Sequence, residues 1–213
     1  MRVTLIQQTP NPIETISNIA SICYDSTPSD PMALVKHLYK NGHLSVYEHI
    51  YFTFRIDGIS RACSHQLVRH RMCSFTQRSQ RYCDEDGFGV ALPPSIASSL
   101  EGNMDAYEEY NAVLLDIRQA YANLLSMGIP KEDARYILPN GCATALYLSC
   151  NLRELIHICN ERLCSKAQWE IRELVEKMVE LVDPDIKFML VPKCKSGRIV
   201  CHTRCYNEKE NRI

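Results

Sequence analysis

Hydrophobic and polar positions change period several times along the chain, and each change predicts an element. Arg2 to Ile6 reads as an opening strand, and Pro10 to Pro12 breaks it before a helix carrying Ile13, Ile16, Ile19 and Ile22. A second helix has clearer ends. Asp30 caps it, Pro31 suits its first position, and Leu34, Val35, Leu38 and Tyr39 form a stripe that stops near Gly42. From Glu48 to Ile56 the period drops to two: Ile50, Phe52, Phe54 and Ile56 alternate with Tyr51, Thr53 and Arg55, the pattern of a half-buried strand. Ser60 onward returns to helix, with Ala62, Cys63, Leu67 and Val68 facing inward and Gln66, Arg69 and His70 near its end.

Cys83 to Asn103, with Gly87, Gly89 and the pair Pro93 and Pro94, reads as a long surface connection that demands no domain boundary. Asp105 to Met127 gives the longest helix, closed by Gly128 and Pro130, and a short helix from Lys131 to Leu138 carries Arg135. A strand-like stretch near Thr144 to Cys150 follows. Asn151 with Glu154 then makes a variant capping box for a helix whose apolar face is Leu152, Leu155, Ile156, Cys159 and Leu163. Arg153 and His157 share another face at i and i+4, whereas Arg162 lies half a turn round from Arg153 at about 100° per residue, so the two arginines serve different neighbours. Ser165 with Gln168 repeats the capping box for a helix of roughly five turns, ended by Asp183 and Pro184.

A length of 213 residues suits one sizeable domain, here residues 1–213, with 186–213 as a cysteine-containing C-terminal extension. Eleven cysteines without a secretory apolar region at the start point to a reducing cytosol, and no apolar run spans a bilayer, so the expectation is a soluble, cytoplasmic protein. The formal net charge of -1 makes any basic segment a local pocket and disfavours a general nucleic-acid surface.

Such a segment runs from Gln66 to Tyr82, QLVRHRMCSFTQRSQRY, and concentrates Arg69, His70, Arg71, Arg78 and Arg81. Guanidinium forks hold phosphate by charge-assisted, bidentate hydrogen bonds, and the intervening Ser, Thr and Gln residues offer neutral donors and acceptors for a base or sugar. Neither glycine-rich phosphate loop is present, which leaves arginine as the phosphate ligand; Arg69, Arg71, Arg78, Arg81, Arg135, Arg153 and Arg162 exceed what one phosphate needs, so two anionic ligands are expected. The spacing of His43, Glu48, His49, His65 and His70 matches no common metal motif, and the sharper set in the tail, Cys194, Cys201, His202 and Cys205, fits no standard zinc pattern; no metal is expected. No cysteine stands out as a nucleophile, because reactivity depends on a local pKa that spacing does not reveal.

Arg69-His70-Arg71, then seven residues, then Ser79, matches the signature of the flavin-dependent thymidylate synthases. The flanking ISRACSHQLVRHR and SQRY, the segment GHLSVYEHIYFTF (42–54), ARYILP (134–139) and NLRELIHICNERLCSKAQWEI (151–171) resemble the same family in the same order, covering most of residues 15 to 185. The resemblance implies an α/β (α+β) fold with a central, mainly antiparallel sheet and long helices, assembled as a homotetramer with active sites at subunit interfaces. It implies reductive methylation of dUMP to dTMP, with 5,10-methylenetetrahydrofolate as carbon donor and FAD reduced by NADPH, and without a covalent cysteine nucleophile. Carried over position by position, Ser45, Arg69, His70, Arg71, Gln77, Asn151, Arg153 and His157 would bind FAD. Gln66, Arg69, Gln77, Arg78, Ser79, Gln80, Arg81, Arg135 and Arg162 would bind dUMP, with Arg162 the catalytic residue that polarises the uracil. His157, Gln77 and Lys166 depart from the commonest residues at their positions but remain polar. Two alternatives stay open: a non-catalytic nucleotide- or RNA-binding module that stacks bases on Phe75 and Tyr82, and a flavin reductase with another acceptor.

Overall fold

The computed structural model describes residues 1–101 and 104–197. In chain order its elements are β1 (Arg2–Gln8), α1 (Pro12–Ser21), α2 (Pro31–Lys40), β2 (Tyr51–Ser60), α3 (Arg61–Leu67), β3 (Ser74–Gln77), α4 (Pro94–Ala97), α5 (Asp105–Ser126), α6 (Lys131–Ala134), β4 (Ala143–Asn151), α7 (Leu152–Arg162) and α8 (Trp169–Leu181), with short 3-10 turns between them. The strands form one sheet in the order β1-β2-β4-β3, giving the expected mixed α/β class with an antiparallel sheet.

The backbone divides into two compact units. One comprises Met1–Arg2, Asp57–His65 and Thr76–Leu146; the other comprises Val3–Ile56, Gln66–Phe75 and the chain from Tyr147 onward. The second unit holds the larger core. There Ile50, Phe52, Phe54 and Ile56 of the β2 segment, Leu148 of β4, Leu152 and Leu155 of α7, and Leu174 and Met178 of α8 are all buried. Each such side chain contributes about 1.5–3 kcal/mol of transfer free energy. In the first unit Phe88, Leu114 and Cys142 make a smaller cluster, flanked by Tyr110 and Ile117 of α5.

Several boundaries follow the sequence pattern. Asp30 accepts a hydrogen bond from the Ala33 N–H at 2.9 Å, and Asn151 accepts one from the Glu154 N–H at 2.9 Å, so both predicted caps form. Gly128, at φ 83, takes the left-handed turn that closes α5, a conformation costly for any residue with a Cβ.

Other expectations are corrected. β2 starts at Tyr51 and not at Glu48, because residues Ser45–His49 close a 3-10 turn, and it continues to Ser60. On α3, Cys63 and Leu67 are buried but Ala62 and Val68 are exposed, since seven residues make barely two turns and only one stripe faces inward. The arginine segment, for which the pattern predicted no strand, contains β3, whose following residue Arg78 donates its N–H to the Ala145 carbonyl at 2.9 Å. The connection after Cys83 is not purely superficial: Glu85 and Phe88 are buried, and Val90 bridges to Cys142; its far end at Asn103 lies outside the described residues. The short helix α6 stops at Ala134, and Arg135–Ile137 is a 3-10 turn. Before α8, Gln168 and not Ser165 is the cap, its Oε1 accepting from the N–H groups of Glu170 and Ile171; the helix has 13 residues, short of five turns. Asp183 caps the next turn instead, accepting from the Asp185 N–H at 2.8 Å.

Candidate active site

Helix α7 organises the larger unit's chemistry. Its apolar stripe packs inward, and the sequence-predicted separation of its arginines is realised: Arg153 and His157 are exposed on one side, while Arg162 turns to His70. A cavity of about 450 Å³ opens beside the exposed face, lined by Asn151, Arg153, His157 and Glu154 of the α7 segment together with Glu48 and Met72. Arg153 is ion-paired to Glu48 there, both about half exposed.

His70 is buried, 5% exposed, between three partners. Arg162 Nε donates to His70 Nε2 at 3.0 Å, Glu154 Oε1 lies 3.4 Å from His70 Nδ1, and the His157 ring meets the His70 ring edge-on at 5.5 Å. Burial, with the cation of Arg162 and the neighbouring His157, pulls the His70 pKa down to about 4, so the ring is neutral at pH 7. With the ring neutral, the Glu154 contact is not an ion pair. Burial raises the Glu154 carboxyl above its ordinary range, with His157 pulling the other way. Arg162 Nη2 also donates to the Gln66 carbonyl at 3.3 Å, which places Gln66 in the same arrangement. His70, Glu154 and His157 bring their ligand atoms within 4.8 Å of one another. The Arg162 guanidinium already on Nε2 opposes a cation there.

The remaining flavin candidates of this unit are less embedded. Arg69 and Arg71 are exposed, with no ion pair among the described residues, and Ser45 is exposed at the start of its 3-10 turn.

The smaller unit collects Gln77, Arg78, Ser79, Gln80, Arg81 and Arg135, and it ties most of them to neighbours. Arg78 pairs with the buried Glu85 at 3.1 Å and donates to the Asp84 carbonyl at 2.8 Å. Arg81 pairs with Glu132 at 3.0 Å, and Arg135 Nε donates to the Glu132 carbonyl at 3.0 Å. Ser79 Oγ accepts from the Arg81 N–H at 3.2 Å, and Gln80 reaches Cys142 Sγ at 3.6 Å. Gln77 Nε2 donates to Ser64 Oγ at 3.0 Å and Thr144 Oγ1 at 3.3 Å, which fastens β3 to its surroundings. Burial raises the Glu85 carboxyl, against the pull of Arg78 and Arg61. Arg61, which the sequence reading passed over, donates to the Arg78 carbonyl at 3.0 Å and has a buried Nε without a hydrogen-bond partner.

The buried thiols of Cys142, Cys150 and Cys159 are not poised for attack. A hydrogen bond to Cys73 together with burial raises Cys150, and burial raises Cys142 and Cys159. Of the tail set, Cys194 is exposed, and Cys201, His202 and Cys205 lie outside the described residues, as does most of the 186–213 extension. Among the described residues no helix is long and apolar enough to cross a membrane.

Glu154 is the residue that sequence reasoning missed. Its signal was available: a carboxylate between the buried Leu152, Leu155 and Ile158 of one helix needs a polar partner.

Residues 4–185 match the Thy1 family, described as thymidylate synthase complementing protein, and the chain belongs to that family. A relative from Geobacter sulfurreducens named flavin-dependent thymidylate synthase is 41% identical, over 92% of this chain and 90% of its own. One of the same name from Pyrococcus furiosus is 41% identical over 91% of this chain and 86% of its own. The fold is similar to that of thymidylate synthase X from Helicobacter pylori, solved with FAD and dUMP, at a TM-score of 0.73 and 24% identity, covering 92% of this chain and 99% of that one.

Proposed function

We propose that the chain is a flavin-dependent thymidylate synthase, converting dUMP to dTMP with 5,10-methylenetetrahydrofolate as carbon donor, FAD as cofactor and NADPH as reductant. One observation carries the reading: in a member of this family, a permanent cation, Arg162, is held on a buried neutral imidazole, with no carboxylate directly on it among the described residues. Such a cation stabilises negative charge developing on a uracil ring without moving a proton.

The residues suit the cofactor. Asn151, Arg153 and His157 line the 450 Å³ cavity, and the exposed Arg69 and Arg71 supply cations for a pyrophosphate, with His70 between them in sequence and Ser45 on its 3-10 turn. Bound and reduced, FAD supplies the reducing equivalents of the methylation. For dUMP, Arg78, Arg81 and Arg135 would hold the phosphate, Ser79, Gln80, Gln77 and Gln66 the sugar and base, and Arg69 would serve both ligands. The raised thiols of Cys142, Cys150 and Cys159 agree with a route that needs no cysteine nucleophile. The enzyme works in the cytoplasm as a homotetramer whose active sites draw on more than one subunit.

The test is product analysis with dUMP, 5,10-methylenetetrahydrofolate, FAD and NADPH. Formation of dTMP is expected; a yellow protein that consumes NADPH without making dTMP is a reductase, and a colourless one that cannot take up FAD is a binding module. Dilution to monomers should release FAD, and monomers that keep stoichiometric flavin contradict the shared site.

A further inference from the structure

Glu154 sits on the buried side of α7, 8% exposed, beside Leu155 and Ile158. A carboxylate in such a place is costly unless it is bonded, and helix capping does not require it. The Asn151 side chain already serves the Glu154 N–H at 2.9 Å, while the Glu154 carboxylate turns to His70 Nδ1 at 3.4 Å in place of the reciprocal bond of a capping box.

The other edge of the same imidazole fixes what Nδ1 must do. A guanidinium N–H only donates, so Arg162 Nε at 3.0 Å requires a lone pair on His70 Nε2. A neutral ring has one N–H, which then stands on Nδ1 and needs an acceptor; Glu154 is the acceptor at hand. Burial and the flanking Arg162 and His157 keep the ring neutral. Arg162 Nη2 is used by the Gln66 carbonyl at 3.3 Å, and Nη1 has no partner among the described residues. Two anchored positions of a planar fork define its plane, and the third is left to a ligand.

We propose that Glu154 is a positioning residue: by accepting the His70 Nδ1–H it holds the tautomer whose Nε2 receives Arg162, and so aims the guanidinium at the substrate. This rests on the reading of Arg162 given above. Glu154 touches no reacting atom; it acts through His70, as an orienting carboxylate acts on a catalytic imidazole.

The test uses the FAD-loaded enzyme with 15N-labelled histidine. Long-range 15N–1H correlation spectra of the wild type should show His70 with its proton on Nδ1. Glu154→Leu should lose that signature and lower kcat for dTMP at least about tenfold, with the KM for dUMP and the FAD stoichiometry within about twofold of wild type. Glu154→Gln, whose carbonyl oxygen accepts the same bond, should restore the tautomer and most of kcat. A wild-type ring protonated on Nε2 overturns the proposal, and this needs no variant to fold. A Glu154→Leu protein with unchanged tautomer or unchanged kcat, or one that loses FAD while the tautomer stays, overturns it as well. Were the wild type to make no dTMP, the proposed function would fail, yet the spectra would still decide the role of Glu154.

Discussion

Arg162 in one unit and Arg78 and Arg81 in the other are held in opposite ways. Around α7, Arg162 rests on a neutral imidazole, and the nearest carboxylate, Glu154, stands behind that ring. In the other unit, Arg78 and Arg81 rest directly on the carboxylates of Glu85 and Glu132. A cation on a neutral acceptor keeps its full field for a charge that develops later. A cation on a carboxylate is compensated until an anion displaces or joins its partner, which suits reversible binding. The first arrangement fits catalysis and the second fits capture of a phosphate.

The largest effect expected from this contrast is on turnover. Arg162→Ala should lower kcat for dTMP by about 10²–10³-fold, the usual loss for a preorganised charge stabiliser, while flavin absorbance per subunit is retained. Arg81→Ala should instead raise the KM for dUMP with a smaller change in kcat. Equal losses of kcat in both variants break the comparison.

Next in size is a pH effect on stability. The native His70 pKa of about 4 lies below its ordinary value near 6.5, so between the two the unfolded chain binds a proton that the native state refuses. The stabilisation is complete above pH 6.5 and is lost as the pH falls toward 4, by about 3 kcal/mol. Urea midpoints at pH 7.5 and 4.5 should show this drop, and His70→Gln should remove most of it. An unchanged drop in the variant would assign it to other groups.

What was legible in the sequence was what neighbours along the chain determine. The alternation from Ile50 to Ile56, the caps at Asp30 and Asn151, and the half-turn between Arg153 and Arg162 are local geometry, and all are realised. β3 was not legible, because Ser74 to Gln77 is only four residues with a single apolar one, Phe75, and becomes a strand through its place in the sheet next to β4. Glu154 was read as half of a capping box, since that signature is local too. Its side chain answers instead to His70, which lies far away in sequence, and no spacing rule reports such a contact. The carboxylates beneath Arg78 and Arg81 were missed for the same reason, and they alter how the basic segment is understood: it is a set of partly compensated charges.

Glu85 gives a prediction of opposite sign to that of His70. Its raised pKa means that the native state disfavours the ionised form, so this contribution to stability is present at low pH and is lost as pH rises through the native pKa. Glu85→Gln should therefore gain stability relative to wild type at pH 7, where the buried carboxylate is otherwise ionised, with the gain vanishing at acid pH. Thermal melts at pH 7 and 4.5 measure it, and a destabilised variant at pH 7 would mean that Arg78 contributes more than burial costs.

The smallest effect belongs to Glu132. Its side chain and that of Arg81 are each 51% exposed, so solvent screens the pair and Glu132→Gln should change stability by less than about 0.5 kcal/mol. Its carbonyl, which holds Arg135, is untouched by the substitution. Binding is where the change should register: with its carboxylate gone, Arg81 meets the phosphate uncompensated, and the KM for dUMP should fall by about twofold at low salt and converge on wild type at high salt. A rise in KM would show that Glu132 orients Arg81 and does not compete with the phosphate, and the charges of this unit would then be built for aim in the way that Arg162 is.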